Sequence, residues 1–370
     1  MDTRELMQLP PELVILVLAH ATLSAFGRLK RCCHAVRNLG TGEVLQRKMQ
    51  EAASQIYLLG GGGEDYDWTR SDGYVRADRM TSVVKLQADG QWVDMPQMPT
   101  ARSCAGAAVL GSDIYVVGGS PGVRGVDCDI PSSAVEKFDT MRNEWQAMPA
   151  MQVERTALAA AVIGNSIYVA GGMNHRDGRD HRLKSAERYD DGAWTQLPDM
   201  PTCREGASAA VIAGKLLVIG GAANDDQEPL RSVDVFDPQT SSWSPGPQMN
   251  YGREHAAVAV LDGICYVMGG TGAQDSRMNS AERLEGGTWT MLPPMPTARA
   301  GAAAAVTQRV HGAHGFRLEI SVFGGNGQGA NPNWDYDPIN TVEAFDPQTQ
   351  EWTTMPGMAI CRGDAAVARL

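Results

Sequence analysis

Six times along the chain an apolar run of four or five residues stops at a pair of glycines. Ile114-Tyr115-Val116-Val117 before Gly118-Gly119 is one copy. The other pairs are Gly60-Gly61, Gly171-Gly172, Gly220-Gly221, Gly269-Gly270 and Gly324-Gly325. So short an apolar run, bounded by a turn signal, predicts a strand buried on both faces. A second kind of run follows. Ser133 to Asp139, Ser232 to Pro238 and Thr341 to Pro347 alternate apolar and polar positions, the period of a half-buried strand. Asp-Pro in two of these copies starts a tight turn into a third strand. That strand carries a tryptophan: Trp92, Trp145, Trp194, Trp243, Trp289 and Trp352. Ten residues after each tryptophan stands an arginine: Arg102, Arg155, Arg204, Arg253, Arg299 and Arg362. Four before each arginine is a methionine, from Met98 to Met358. One offset kept six times marks an internal repeat. Beyond the arginines lie runs of small residues, such as Ala105-Gly106-Ala107-Ala108 and Ala302 to Ala305. They are poor strand formers alone, but they fit where strands converge on an axis.

Each unit therefore has four strands: a after the arginine, b before Gly-Gly, c with Ser-x-Glu, and d with tryptophan. The spacing of about 50 residues is near the Kelch period and longer than that of WD40 repeats, and no Trp-Asp dipeptide ends any unit. These motifs resemble Kelch repeats over about 85% of the chain. The fold the resemblance implies is all-β, a six-bladed Kelch β-propeller over 53–370. The first copy begins at strand b, Ile56 to Leu59. The last ends on a strand a within Gly363 to Leu370, so the C-terminal strand should complete blade 1 and remove free edges. Blade 1 departs from the pattern in one place: Val84 stands where the other units carry an acid.

Residues 1–52 form a separate expectation. Pro10-Pro11 suits a first helical turn. Leu13, Leu16 and Val17 share a helical face, and Phe26, Leu29, Cys33 and Val36 make a second. Leu9-Pro10-Pro11-Glu12-Leu13 resembles the start of an F-box, so a small α-helical F-box-like module is expected. The resemblance implies that Leu9, Pro10, Leu13, Leu16 and Val17 bind the adaptor subunit of a cullin-RING (SCF-type) ubiquitin ligase while the propeller selects the substrate. Leu13 to Ala19 with Ala19-His20-Ala21 also mimics a secretion signal. The preceding Asp2, Glu5 and Glu12 against Arg4 oppose that reading, since signal peptides open on a basic region.

Charge sharpens the division. The net charge is −11, with +3 in residues 1–50 and −14 beyond. An acidic propeller disfavours nucleic acid and anionic membrane as partners. Seven scattered cysteines with no Cys-x-x-Cys argue against a disulfide framework and for a reduced compartment, the cytoplasm or nucleus.

No catalytic, cofactor or metal residue is expected. An arginine in every unit is scaffold, placed to pair with the acids of strand c (Glu136, Glu187, Asp234, Glu282, Glu343). His175 and His181 sit among arginines, and His311 and His314 lack further ligands. The residues of a copper oxidase of this architecture are not visible, and a sugar-acting propeller enzyme of the exported kind lacks a clear export signal. Binding is expected on the face that carries the b–c and d–a loops. There Tyr66, Trp68 and Tyr74 of blade 1 and Trp334, Asp335, Tyr336 and Asp337 of blade 6 lie on neighbouring loops. They either anchor a partner or pin their own loops. Glu205, Glu254, His255 and Asp364 should line the channel mouth. Acids beside aromatic rings favour a protein segment bearing Arg or Lys. The reading is a non-catalytic protein-binding adaptor; the alternatives are a stand-alone Kelch scaffold and, more distantly, the exported enzyme.

Overall fold

The four residues before each Gly-Gly pair are buried because strand b lies between two strands of its own sheet and between two neighbouring sheets. The computed structural model describes residues 55–62, 80–87, 90–121, 130–176, 179–224, 228–311, 315–327 and 338–370. Within these the chain forms six four-stranded antiparallel sheets, each ordered a-b-c-d. In blade 2 these strands are Gly106–Leu110, Asp113–Val117, Val135–Asp139 and Glu144–Met148. Strand b of blade 3, Ser166–Ala170, is buried at every position. Strand d at the rim, as in Glu144–Met148, is exposed at most of its positions.

Blade 1 closes as its sequence anticipates. Ala366–Arg369 pairs antiparallel with Ile56–Leu59, followed by Val83–Leu86 and Trp92–Met95. The core is accordingly a ring of six apolar clusters, one between each pair of blades. One joins Tyr115 and Val117 of blade 2 to Ile167 and Val169 of blade 3. Another joins Ile56 and Leu58 of blade 1 to Ala303 and Phe323 of blade 6. Each fully buried Val, Leu or Ile in such a cluster contributes roughly 1.5–3 kcal/mol.

The repeated tryptophans bolt blades together. The Trp145 indole N–H donates to the Pro96 carbonyl of the preceding blade at 2.9 Å. Trp194, Trp243, Trp289 and Trp352 repeat this with Pro149, Pro198, Pro247 and Pro293. Each ring also packs on an aromatic of its own strand c where one is present, as Trp145 does on Phe138 at 5.1 Å between centroids.

Two features exceed the four-strand expectation. The b–c connection of blade 3 folds into its own hairpin, Met173–Arg176 with Arg179–Arg182. In blade 6, strands a and b run for nine residues each, Ala303–His311 and Gly315–Phe323, while strand c pairs only with Ile320 to Phe323. The rest of that hairpin is a two-stranded ribbon on the a–b side. The hydroxyl position of blade 2 also shifts: the residue aligned with Ser185 and Ser232 is Ala134, not Ser133. Among the described residues there is no α-helix, only a short 3-10 turn at Ala273–Asp275, and no helix is long and apolar enough to cross a membrane. The helices expected in 1–52 lie outside the described residues.

Candidate functional site

The arginines show how the loop face is built. Arg155 is fully buried; its Nη1 donates to the carbonyls of Gly171 (2.7 Å) and Ser185 (3.0 Å), and its Nη2 meets Glu187 at 2.8 Å. Arg102–Glu136, Arg204–Asp234, Arg253–Glu282 and Arg299–Glu343 repeat the pair at 2.8–3.1 Å. The main chain of the same arginine belongs to the previous blade: the Arg155 carbonyl accepts from Gly119 N–H at 2.9 Å. Gly118 packs against that carbonyl, which a Cβ would approach to 2.5 Å at a φ of +63°. The Gly-Gly pair is thus the socket of the next blade's arginine. Arg362 closes the ring in the same way on Gly60 and Ser82 but meets no carboxylate among the described residues, because Val84 occupies the acid's position. Burial pushes its guanidinium down to about 10, with only Asp94 opposing.

The residue after each arginine bridges to the one after Gly-Gly, as Glu205 does to Ala222 and Glu254 to Thr271. This puts the d–a and b–c connections on one face. The next residue turns left-handed in all six blades: Cys104, Ala157, Gly206, His255, Gly301 and Asp364 have φ between +50° and +61°. Each donates its N–H to the carbonyl of the corresponding residue in the neighbouring blade. The bonds run Cys104 to Asp364, Asp364 to Gly301, Gly301 to His255, His255 to Gly206, Gly206 to Ala157 and Ala157 to Cys104, at 2.7–3.1 Å. Six main-chain bonds, all pointing the same way round, frame the channel mouth.

Four of the expected site residues stand on or beside this frame. The His255 imidazole lies over Gly206, and the Asp364 carboxylate over Gly301; a Cβ at either glycine would collide with it. His255 Nδ1 is 3.8 Å from Asp364 Oδ1, while Asp364 Oδ2 accepts from Asn326 Nδ2 at 3.0 Å. Glu205 is held by the Arg182 fork, Nε and Nη2 both at 2.8 Å. Its charge is therefore already matched. Burial raises the Glu205 pKa and Glu254 adds to the rise, while Arg182 and His255 oppose it. Glu254 completes the acidic rim. Tyr66, Trp68, Tyr74, Trp334, Asp335, Tyr336 and Asp337 lie outside the described residues, as do Leu9, Pro10, Leu13, Leu16 and Val17. Sequence reasoning missed Arg182 and Asn326. The signal for Asn326 was its place directly after Gly-Gly; for Arg182 it was the spacing of Arg176, Arg179 and Arg182. Among the described residues no three His, Cys, Asp or Glu converge as metal ligands do.

Residues 46–245 and 105–315 match the family described as the KLHDC2/KLHL20/DRC7 Kelch-repeats domain, and residues 322–359 match the Kelch motif. An F-box/kelch-repeat protein of Arabidopsis thaliana is 29% identical over 45% of this chain and 59% of its own length. Human Kelch-like protein 33 is 28% identical over 38% of this chain and 23% of its own. Alpha-scruin of Limulus polyphemus is 32% identical over 32% of this chain and 12% of its own. The chain thus spans less than two thirds of these curated relatives. The solved structure of YjhT covers 74% of this chain and 88% of its own, with a TM-score of 0.60 at 18% identity, a likeness of fold alone.

Proposed function

Because the chain belongs to the Kelch-repeat family, we propose that it is a non-catalytic protein-binding adaptor that docks an Arg- or Lys-bearing protein segment on its b–c/d–a face. The observation that carries this reading is the acidic mouth: Glu254 and Asp364 stand on or beside a backbone frame closed by six hydrogen bonds, and the one described arginine that pairs with the rim's carboxylates, Arg182, is held by Glu205. A preorganised frame lowers the ordering cost of binding, and fixed carboxylates select a cationic partner. The aromatic loop residues Trp68 and Trp334 supply the apolar anchors in this reading.

Residues 1–52 are the F-box-like module that ties the propeller to a ligase adaptor subunit, which makes the protein a substrate receptor of the cytoplasm or nucleus. The Leu9-Pro10-Pro11-Glu12-Leu13 segment supports this, as does the similarity to a relative named F-box/kelch-repeat protein. The full chain, probed on an array of peptides graded in Arg and Lys content, is expected to favour the basic members. Glu254→Gln with Asp364→Asn should erase that preference. A preference for acidic peptides, or none, refutes the docking reading. Co-purification of a ligase adaptor with the full chain, lost in Leu13→Ala with Leu16→Ala, tests the second half; failure to co-purify leaves a stand-alone scaffold.

A further inference from the structure

One hairpin breaks the length of the repeat. In blades 2 to 5 strands a and b run for five residues each, as Ala257–Leu261 and Ile264–Met268 do in blade 5. In blade 6 they run for nine, Ala303–His311 and Gly315–Phe323. The added residues carry both strands past their sheet, because strand c, Val342–Asp346, pairs no further than Ile320. A two-stranded ribbon by itself is marginally stable in water, so an extension of this kind calls for a surface to lie against.

The register identifies what enters beside it. Ile56 of blade 1 and Ile320 of blade 6 are each the fourth residue before Gly-Gly, opposite Arg369 and Val306. Counted from there, Gln55 corresponds to Glu319, and the added residues 315–318 correspond to 51–54, which lead into Gln55. The Leu370 N–H donates to the Gln55 carbonyl at 3.0 Å, so strand b of blade 1 reaches this level. Residues 1–54 thus join the ring on the a–b side, in the blade next to the long hairpin. The two blades share a seam in which Ile56 and Leu58 meet Ala303, Ala305 and Phe323. Alternate residues of a strand share a face, so Thr307, Arg309, Arg317 and Glu319 belong to the blade-1 face as well. That face is polar. The Thr307 and Ser321 hydroxyls are 2.7 Å apart, Arg317 meets Asp346 at 2.7 Å, and Arg309 lies 3.9 Å from Glu319. Arg309 and Arg317 are direct cross-strand partners. Like charges so placed weaken a pair, and a further carboxylate relieves them. Glu51 is the acid nearest Gln55 on its N-terminal side, within about 13 Å of extended chain. Between them stand Ala52, Ala53 and Ser54, small enough to let the chain pass close.

We propose that the blade-6 ribbon is the seat of this chain's own N-terminal segment: residues 1–54 lie against its blade-1 face, with Glu51 between Arg309 and Arg317, and are held on the side opposite the loop face. The seat does not depend on what the segment itself binds. Hydrogen–deuterium exchange of the full chain, followed in peptides covering residues 43–54, tests this. These amides should be protected in the unaltered protein. Replacing residues 308–318 by Asp-Gly copies the Asp262-Gly263 turn of blade 5 and should cut the protection at least tenfold, with unchanged thermal melting verifying the ring. Arg309→Glu should cut it too, and Arg309→Glu with Glu51→Arg should restore it. Equal exchange in the unaltered and shortened chains overturns the proposal, as does absence of rescue by the charge swap. A dimer in sedimentation that the shortened hairpin dissociates, with exchange of 43–54 unmoved, also overturns it and makes a second copy the occupant.

Discussion

Replacing Glu282 by glutamine tests the account of how adjacent blades are joined. Glu282 is fully buried. Its Oε1 accepts from Arg253 Nη2 at 2.8 Å and from the Tyr251 N–H at 3.2 Å; its Oε2 accepts from the Asn250 N–H at 2.7 Å and from Asn250 Nδ2 at 2.8 Å. One carboxylate thus ties strand c of blade 5 to the connection that leaves blade 4. Glu282→Gln preserves shape but leaves the Arg253 charge without its counter-ion. It also turns one acceptor into a donor facing other donors. Breaking a buried ion pair from one side costs about 3–5 kcal/mol. Unfolding entropy of ~2.1 cal/mol/K per residue then converts a loss of about 4 kcal/mol into a Tm drop of roughly 6 °C for a ring of about 300 residues. The assay is thermal and urea unfolding followed by tryptophan fluorescence, with Glu351→Gln at an exposed strand end as the control, expected to move stability by less than about 0.5 kcal/mol. If Glu282→Gln melts with the control, the repeated arginine–acid pair does not hold the blades and the reasoning fails.

Val84→Glu makes the opposite change at the closing seam: by giving Arg362 the carboxylate that five other arginines have, it should raise Tm by a degree or two, about 1 kcal/mol net of the lost apolar burial, and a fall in Tm would show that seam packing outweighs the charge. Deleting residues 363–370 strips strand a from blade 1 and should cost several kcal/mol, since the ladder on Ile56–Leu59 and its burial vanish together; a truncated chain melting with the full-length protein contradicts the closure. Affinity for a basic peptide should fall on acidification, beginning above the ordinary glutamate range because Glu205 is raised by burial, and protonation there removes one of the negative charges at the mouth. Protonating an acid whose pKa is raised in the fold favours the fold, so this contribution to stability is present below the ordinary glutamate pKa and lost as pH rises through the higher folded value. Peptide release without unfolding, read by anisotropy and circular dichroism together, is the expected result; release only as the chain unfolds refutes it.

Blade number, strand order and closure were legible because each depends on a position where few residue types work. Only glycine packs against the arginine carbonyl at Gly118, and the Trp145 indole must reach Pro96 across a seam of fixed width. The frame at the mouth was not legible. Four of its six left-handed residues are Cys104, Ala157, His255 and Asp364, which carry no common side-chain signal; the conformation is imposed by main-chain bonds between blades. The pairing of Glu205 with Arg182 was hidden for another reason. It depends on a hairpin in blade 3 reaching a residue of blade 4, 23 positions later, and periodicity within one blade says nothing of that.

The closure also sets an order of events during synthesis. Arg362 donates to the carbonyl of Gly60 across 302 positions of sequence, and the strand that covers Ile56–Leu59 is Ala366–Arg369, the last among the described residues. A ribosome delivers the chain from the other end. Blades 2 to 6 can form while it is still being made, but Ile56–Leu59 must wait with one edge unpaired until Ala366–Arg369 has left the exit tunnel. Such an edge is a template for foreign strands, and contacts this distant form slowly. The interval between the synthesis of Ile56–Leu59 and that of Ala366–Arg369 is therefore the period in which a nascent ring most needs a chaperone, and a ribosome stalled before Ala366 would hold a ring that cannot shut.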